Sequence, residues 1–261
     1  MNYVAQAVLV FSMMAAAAVP ASALQPLVSG DAEIADTGGF EWYMAMQYDV
    51  NKGIPSRQLP TTELVYGLNE RQEINFEIDR LSQGGLAGFE NADLGTKYLL
   101  VKETGGLPAV ALSFEAALPT ASRSGGLGTG QFDYEFLMRT QKTWGRFTLF
   151  ANLGFTVIGE PHVGGTIESQ KNVWFASTAQ VFAINKRTNL LSEVYFETAK
   201  DPGIPSQLAV NVGIDRELAK DFRLQAAAGT SLRGAQRGGP DFHLYAGFEW
   251  DFSAPWKTEK D

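Results

Sequence analysis

The sequence predicts an all-β chain: a transmembrane up-and-down antiparallel β-barrel of 12 strands, with short periplasmic turns and longer extracellular loops. Three observations predict it. Segments of about ten residues alternate in polarity with a period of two, their connectors alternate between short and long, and aromatic residues gather near both ends of the segments.

In chain order, the first element is a leader over residues 1–23. Val4 to Val19 is apolar, interrupted by Gln6 and Ser12, and Ala21-Ser22-Ala23 supplies an A-x-A cleavage site before Leu24. No Lys or Arg lies between Met1 and the apolar run, which leaves the start codon open. The absence of cysteine excludes a lipobox. Residues 24–39 then form a periplasmic N-terminal segment, long enough to enter a barrel lumen as a plug.

The barrel is expected over 40–252, followed by a tail at 253–261. Its first strand alternates Phe40, Trp42, Met44, Met46, Tyr48 and Val50 with Glu41, Tyr43, Ala45, Gln47 and Asp49. Ile74, Phe76 and Ile78 alternate with Glu73, Asn75, Glu77 and Asp79; Phe132, Tyr134, Phe136 and Met138 alternate with Gln131, Asp133, Glu135 and Arg139. The last strand is clearest. Phe242, Leu244, Ala246, Phe248, Trp250 and Phe252 share one face, opposite Asp241, His243, Tyr245, Gly247, Glu249 and Asp251. A helix would scatter both sets, whereas a strand separates them. Segments near 58–66, 92–102, 108–118, 146–157, 172–184 and 190–197 alternate less cleanly: Leu99, Val101, Phe150, Trp174, Phe182 and Leu191 fall on the polar parity.

Ten tilted residues at about 3.3 Å each span about 23–25 Å, the height of a membrane barrel's apolar band. Short connectors fall at 68–71, 103–106, 142–145, 185–188 and 218–220, and long ones at 51–57, 82–90, 119–130, 158–170, 199–205 and 233–240. A soluble sandwich also alternates, but aromatic girdles distinguish the two. Trp42, Tyr66, Tyr98, Trp250 and Phe252 fall at the periplasmic ends; Tyr48, Phe132, Tyr134 and Phe242 fall at the outer ends.

Composition narrows the chemistry. The 261 residues are 45% hydrophobic, yet mean hydropathy is −0.10. No apolar run after the leader reaches the roughly 18–20 residues of a membrane helix. Without cysteine there is no disulfide, thiol nucleophile or thiolate metal site, and a net charge of −8 argues against nucleic acid as a partner. No cofactor or metal is expected.

The polar parity supplies the candidate lumen lining: Glu63, Glu77, Asp93, Glu115, Asp133, Glu135, Glu193, Asp215 and Glu249, with Lys97, Arg139, Arg146, Arg223 and His243. Opposite charges on adjacent strands can pair across such an interior, and the acidic excess favours cations or neutral solutes. No catalytic site is expected. His162 and His243 are the two histidines, and no serine is identifiable as a partner for His243. Gly125-Gly126-Leu127-Gly128-Thr129-Gly130 lacks the helix and Gly-Lys-Ser/Thr of a phosphate loop and is expected to be an outer loop.

The order of landmarks resembles the outer-membrane family known as "MetA-pathway of phenol degradation". The resemblance runs through Ala35-Asp36-Thr37-Gly38-Gly39-Phe40-Glu41, Tyr66-Gly67-Leu68-Asn69-Glu70-Arg71-Gln72-Glu73 and Asp93-Leu94-Gly95-Thr96-Lys97-Tyr98. Ala117-Leu118-Pro119-Thr120 and Gly145-Arg146-Phe147-Thr148-Leu149-Phe150-Ala151-Asn152-Leu153-Gly154 extend it over most of the mature chain. The tail after Phe252 departs from the family's terminal aromatic residue. The resemblance implies transport of small aromatic or apolar compounds across a Gram-negative outer membrane. Lipid, lipopolysaccharide, the barrel-assembly machinery and a small solute would be the partners. A closed adhesive barrel and an outer-membrane enzyme are the alternatives.

Overall fold

The computed structural model describes residues 26–51, 53–122, 127–128, 130–160, 162–163, 166–167, 171–199, 205–233 and 240–253. The leader, its cleavage site and residues 254–261 of the tail lie outside these, as do Gly125, Gly126 and Thr129 of the glycine run.

The strands are β1 (Gly39–Asn51), β2 (Ile54–Asn69), β3 (Gln72–Gln83), β4 (Leu86–Val101), β5 (Ala109–Leu118), β6 (Asp133–Trp144) and β7 (Phe147–Val157). After the short hairpin β8 (His162–Val163) and β9 (Thr166–Ile167) come β10 (Val173–Asn185), β11 (Thr188–Glu197), β12 (Gln207–Ala219), β13 (Phe222–Ser231) and β14 (Phe242–Ser253). Among the described residues, 12 strands close into one antiparallel barrel, with β8 and β9 a separate two-stranded sheet in the 158–170 connector. β1 pairs β14 from Gly39↔Ser253 to Val50↔Phe242 and so removes the open edge. The barrel thus begins one residue before the predicted 40 and ends one after the predicted 252.

Burial follows the two parities. Asp215 is 0% exposed, Glu249 2% and Glu193 3%, whereas outward Val212 is 56% exposed and Phe136 50%. A sandwich would hide the apolar face; this chain hides the charged one. The hydrocarbon of a bilayer is the solvent that such an outer wall fits.

Several local expectations differ from the structure. The 51–57 and 82–90 connectors are tight turns rather than long loops, because β2 starts at Ile54 and β4 at Leu86. Gly84 and Gly85 take φ values of 59° and 90°, which side-chain-bearing residues rarely adopt, and so reverse the chain immediately. In β10 the inward parity is Val173, Ser177, Ala179 and Val181, while Trp174 and Phe182 face outward beside exposed Thr178 and Gln180. A register shift between Leu99 and Val101 turns Leu100 and Val101 both outward. Leu99, Phe150 and Leu191 do point inward, each at most 8% exposed.

Outward aromatic rings cluster where β1, β2 and β14 meet at the short-turn end. Phe40 lies 4.7 Å from Tyr66 and 5.3 Å from Phe252, and Trp250 lies 5.3 Å from Phe252 and 6.4 Å from Trp42. Tyr98 stands opposite Gln72 at the same end. At the other end Tyr134 stacks 6.1 Å from both Phe132 and Phe114; Tyr48 carries Arg57 over its ring at 5.7 Å, and Phe242 pairs with Val50.

Candidate functional site

The interior is organised around residues 26–38, a strap that enters beside the β2–β3 turn and crosses to β10 and β11 on the far side of the ring. Gly38 N donates to Gly67 O at 2.7 Å, and Thr37 forms a parallel bridge with Gly67. A Cβ on Gly67 would lie 2.3 Å from Asp36 O, so the strap passes this point only because no side chain is there.

Wall side chains then grip the strap mainly by its backbone. Ala35 N donates to Glu73 Oε2 at 2.7 Å, Ala32 N to Gln141 Oε1 at 3.2 Å, and Gly30 N to Asn152 Oδ1 at 2.7 Å. Asn152 Nδ2 returns a bond to Gly30 O at 3.0 Å. Glu193 takes Val28 N on one oxygen and Ser29 N on the other, both at 2.9 Å, plus the Ser29 hydroxyl at 2.7 Å. Donors aimed at an ionised acceptor are the stronger kind of hydrogen bond, about 1.5–3 kcal/mol each. Lys97 Nζ bridges strap and wall, 3.1 Å from Asp31 and 2.9 Å from Glu73.

The inward apolar residues have the same partner. Leu27, 7% exposed, packs on Phe150, Ala179, Val181 and Leu191. Ala32 packs on Leu99, Ala109 and Ala111, with Ile34 against them. These positions break the polar alternation because they seat the strap.

On the strap itself, Glu33 accepts a hydrogen bond from Gln141 Nε2 at 2.7 Å. Burial, then neighbouring Asp31, pushes its carboxyl up to about 7, against the opposing pull of Gln141 and Lys97. The docked strap therefore favours protonated Glu33. That contribution is complete below the ordinary value of 4.5 and is lost as pH rises through about 7.

The strap divides the lumen unequally. Toward β11–β14 the interior is a closed network: Arg223 Nε donates to Asp215 Oδ1 at 2.8 Å, and a second guanidinium nitrogen pairs with Oδ2. Asn189 donates to Asp215 at 3.0 Å, Gln225 to Glu249 at 2.9 Å, and Arg223 lies 4.0 Å from Glu249. Toward β1–β6 a cavity of about 220 Å³ remains beside the strap. Glu41, Glu63, Glu73, Glu77, Glu115 and Glu135 line it, against Lys97 and Arg139. Asn75 Nδ2 ties Glu63 to Glu115 at 3.0 and 3.3 Å. A second cavity of about 290 Å³ lies nearer the outer end among Asp79, Glu90, Asp93 and Asp133.

Most of the lumen candidates thus meet in three groups: the strap contacts (Lys97, Glu193), the closed network (Asp215, Arg223, Glu249) and the acidic cavities. Asp133 accepts Gly159 N at 2.8 Å and Glu135 the Thr156 hydroxyl at 3.3 Å. His243 Nδ1 lies 2.7 Å from Asp49 Oδ1 on the paired strand. Arg146 does not belong to the lumen. It sits in the β6–β7 turn, where its Nε donates to Ala183 O at 2.7 Å, a second nitrogen donates to Ile184 O, and the guanidinium covers the outward Phe182 ring at 5.2 Å. Turn carbonyls are nearer to it than any lumen carboxylate, because the chain reverses there.

The site also holds Glu41, Glu73, Gln141, Asn152 and Ser177, which the sequence does not single out as lining. Glu41 and Glu73 share the polar parity of their strands, and that parity is the signal that finds them. Gln141, Asn152 and Ser177 carry no charge, and nothing in their local sequence marks them as strap contacts. Among the described residues no group of three or more His, Cys, Asp or Glu side chains could hold a metal ion.

Known proteins give the arrangement its relatives. The COG4313 outer membrane channel from Pseudomonas putida F1 shares the fold with a TM-score of 0.71 at 15% identity, over 87% of this chain and 100% of that one. The NanC porin aligns with a TM-score of 0.59 at 8% identity, over 80% and 98% of the two chains. The KdgM porin aligns at 0.53 and 8%, over 82% and 99%. No curated protein matches the chain. The model of the family described as "Putative MetA-pathway of phenol degradation" matches residues 25–241, and the chain belongs to that family.

Proposed function

We propose that this chain is an outer-membrane channel for small solutes, apolar or aromatic compounds among them, working by passive or binding-assisted diffusion with residues 26–38 as its plug. One observation carries the reading: a segment crosses the whole lumen on hydrogen bonds that its backbone donates to Glu193, Asn152, Gln141 and Glu73, beside a cavity of about 220 Å³. A structural barrel can fill its centre with side chains alone; this one also holds a segment of backbone that is not one of its strands.

The outer-membrane placement follows from the apolar outer wall, with lipid and lipopolysaccharide as its surroundings. The assembly machinery would meet β14 and Phe252, after export and removal of the leader behind Ala23. Catalysis, cofactors and metals play no part in this proposal.

The carboxylates of the two cavities favour cations over anions. In planar bilayers under a potassium chloride gradient, the reversal potential is expected to indicate cation preference. Glu63→Gln/Glu77→Gln/Glu115→Gln should reduce it. Chloride preference in the unmodified protein would contradict the assignment of the acidic cavities to the conducting path.

A further inference from the structure

We propose that the seat of Leu27 and Ser29 is a solute-recognition site that the chain fills with its own strap, and that a small molecule carrying an apolar group next to hydrogen-bond donors displaces the strap by taking the same seat. This rests on the channel reading above and adds to it a ligand class and the means by which the plug is released.

The seat has two parts a few residues apart on the same strands. Phe150, Ala179, Val181 and Leu191 enclose a side chain of leucine size. Glu193, two residues beyond Leu191 on β11, presents both carboxylate oxygens to donors. Besides the three strap donors it accepts Asn211 Nδ2 at 2.6 Å. Ser177 Oγ adds a polar contact, 2.8 Å from Ser29 Oγ.

What the wall reads here is generic. Apart from the leucine side chain and one hydroxyl, the groups bound are backbone N–H groups, which carry no sequence information. An uncharged or cationic molecule with an isobutyl- or phenyl-sized group beside an N–H or O–H offers the same pattern. An anion does not, because it would meet Glu193.

The seat also resists standing empty. Withdrawal of the strap takes three donors from Glu193, which is 3% exposed with the strap in place, and uncovers the apolar pocket of Leu27. Lost hydrogen bonds and newly wetted apolar surface both disfavour the empty seat. Tethering keeps the strap at an effective concentration of about millimolar, so the seat stays filled until a solute competes at that level. Plug release is then set by the solute itself, and the solute is bound where the plug was.

The probes are leucinamide, which has an isobutyl group and donors, and glycinamide, which has the donors alone. The chain contains no cysteine, so Ser29→Cys places a single thiol on the strap of the full-length protein. Leucinamide is expected to accelerate modification of that thiol by a water-soluble maleimide, saturably. Glycinamide should need an about 10- to 100-fold higher concentration, the value of burying one aliphatic side chain. In a chain lacking residues 26–36, leucinamide should block the current with the same preference, and Glu193→Gln should weaken the block about tenfold.

Labelling that ignores leucinamide, or that responds equally to both amides, overturns the shared seat even where the shortened chain conducts. If the shortened chain instead fails to conduct while leucinamide still accelerates labelling, the seat stands and the channel reading falls. The two failures are therefore distinguishable.

Discussion

Removal of residues 26–36 is expected to raise single-channel conductance several-fold while leaving the barrel closed. The reason lies in strand number. Barrel diameter grows with the number of strands; about 8 leave room only for side chains, and 16–18 leave an aqueous channel. With 12, this barrel has space for inward side chains plus one extended segment, and the strap is that segment. Ring closure does not depend on it, because each barrel strand pairs with its two barrel neighbours and the strap contributes only the Thr37–Gly67 bridge. The β-sheet circular dichroism of the shortened chain should match that of the full chain. pH supplies a second handle on the same event. Since Glu33 favours the docked strap when protonated, the full-length channel should open more often as pH rises through about 7, and Glu33→Gln should flatten that dependence. A shortened chain with unchanged conductance would mean that the strap is not what restricts passage.

Arg223→Leu is expected to cost about 3–5 kcal/mol of folding stability, because it leaves a buried charge without its partner. Asp215 has no exposed surface, and Arg223 is its cation, with Glu249 4.0 Å away on the other side. Taking away the guanidinium leaves two buried carboxylates facing one another across β13. The double variant Arg223→Leu/Asp215→Leu should recover much of the loss, because a buried pair replaced as a unit by apolar side chains of similar volume is often close to neutral. Urea titration of the protein folded in lipid vesicles measures both. A single variant no less stable than the double would place the charge of Asp215 elsewhere.

The barrel is legible because a period of two is a property of each strand alone. Asp241 to Phe252 reads as a strand without knowledge of any partner, and Phe242–Ser253 is one. Features that depend on partners are the ones that escape. Leu99, Phe150 and Leu191 read as faults in the alternation; they are the inward apolar contacts of Ala32 and Leu27, and a pattern reports a face without saying what covers it. In β10 the same blindness assigns Trp174 and Phe182 to the lumen, although Thr178 and Gln180 share their outward face. Arg146 reads as lining from its polarity, yet a turn residue has no parity, and nearby carbonyls hold it. The strap is the extreme case. Its length permits a plug, but it is gripped largely through backbone N–H groups, which every residue but proline has, so nothing in 26–34 marks which wall residues it meets. Pairs such as Lys97 with Glu73 and Arg223 with Asp215 require strand register, which the alternation alone does not fix.

The most direct test of the strap as gate is the conductance of Ser29→Cys/Ser177→Cys, recorded oxidised and then reduced. The two serine oxygens lie 2.8 Å apart, which brings the replacing thiols within disulfide reach, and no other cysteine can interfere. Oxidised protein, with the cross-link verified by mass, is predicted to stay in its low-conductance state at every pH and with leucinamide present. Reductant should then restore openings like those of the unmodified protein. Identical currents before and after reduction would contradict the account, since a strap bonded to the wall would then be no obstacle to passage.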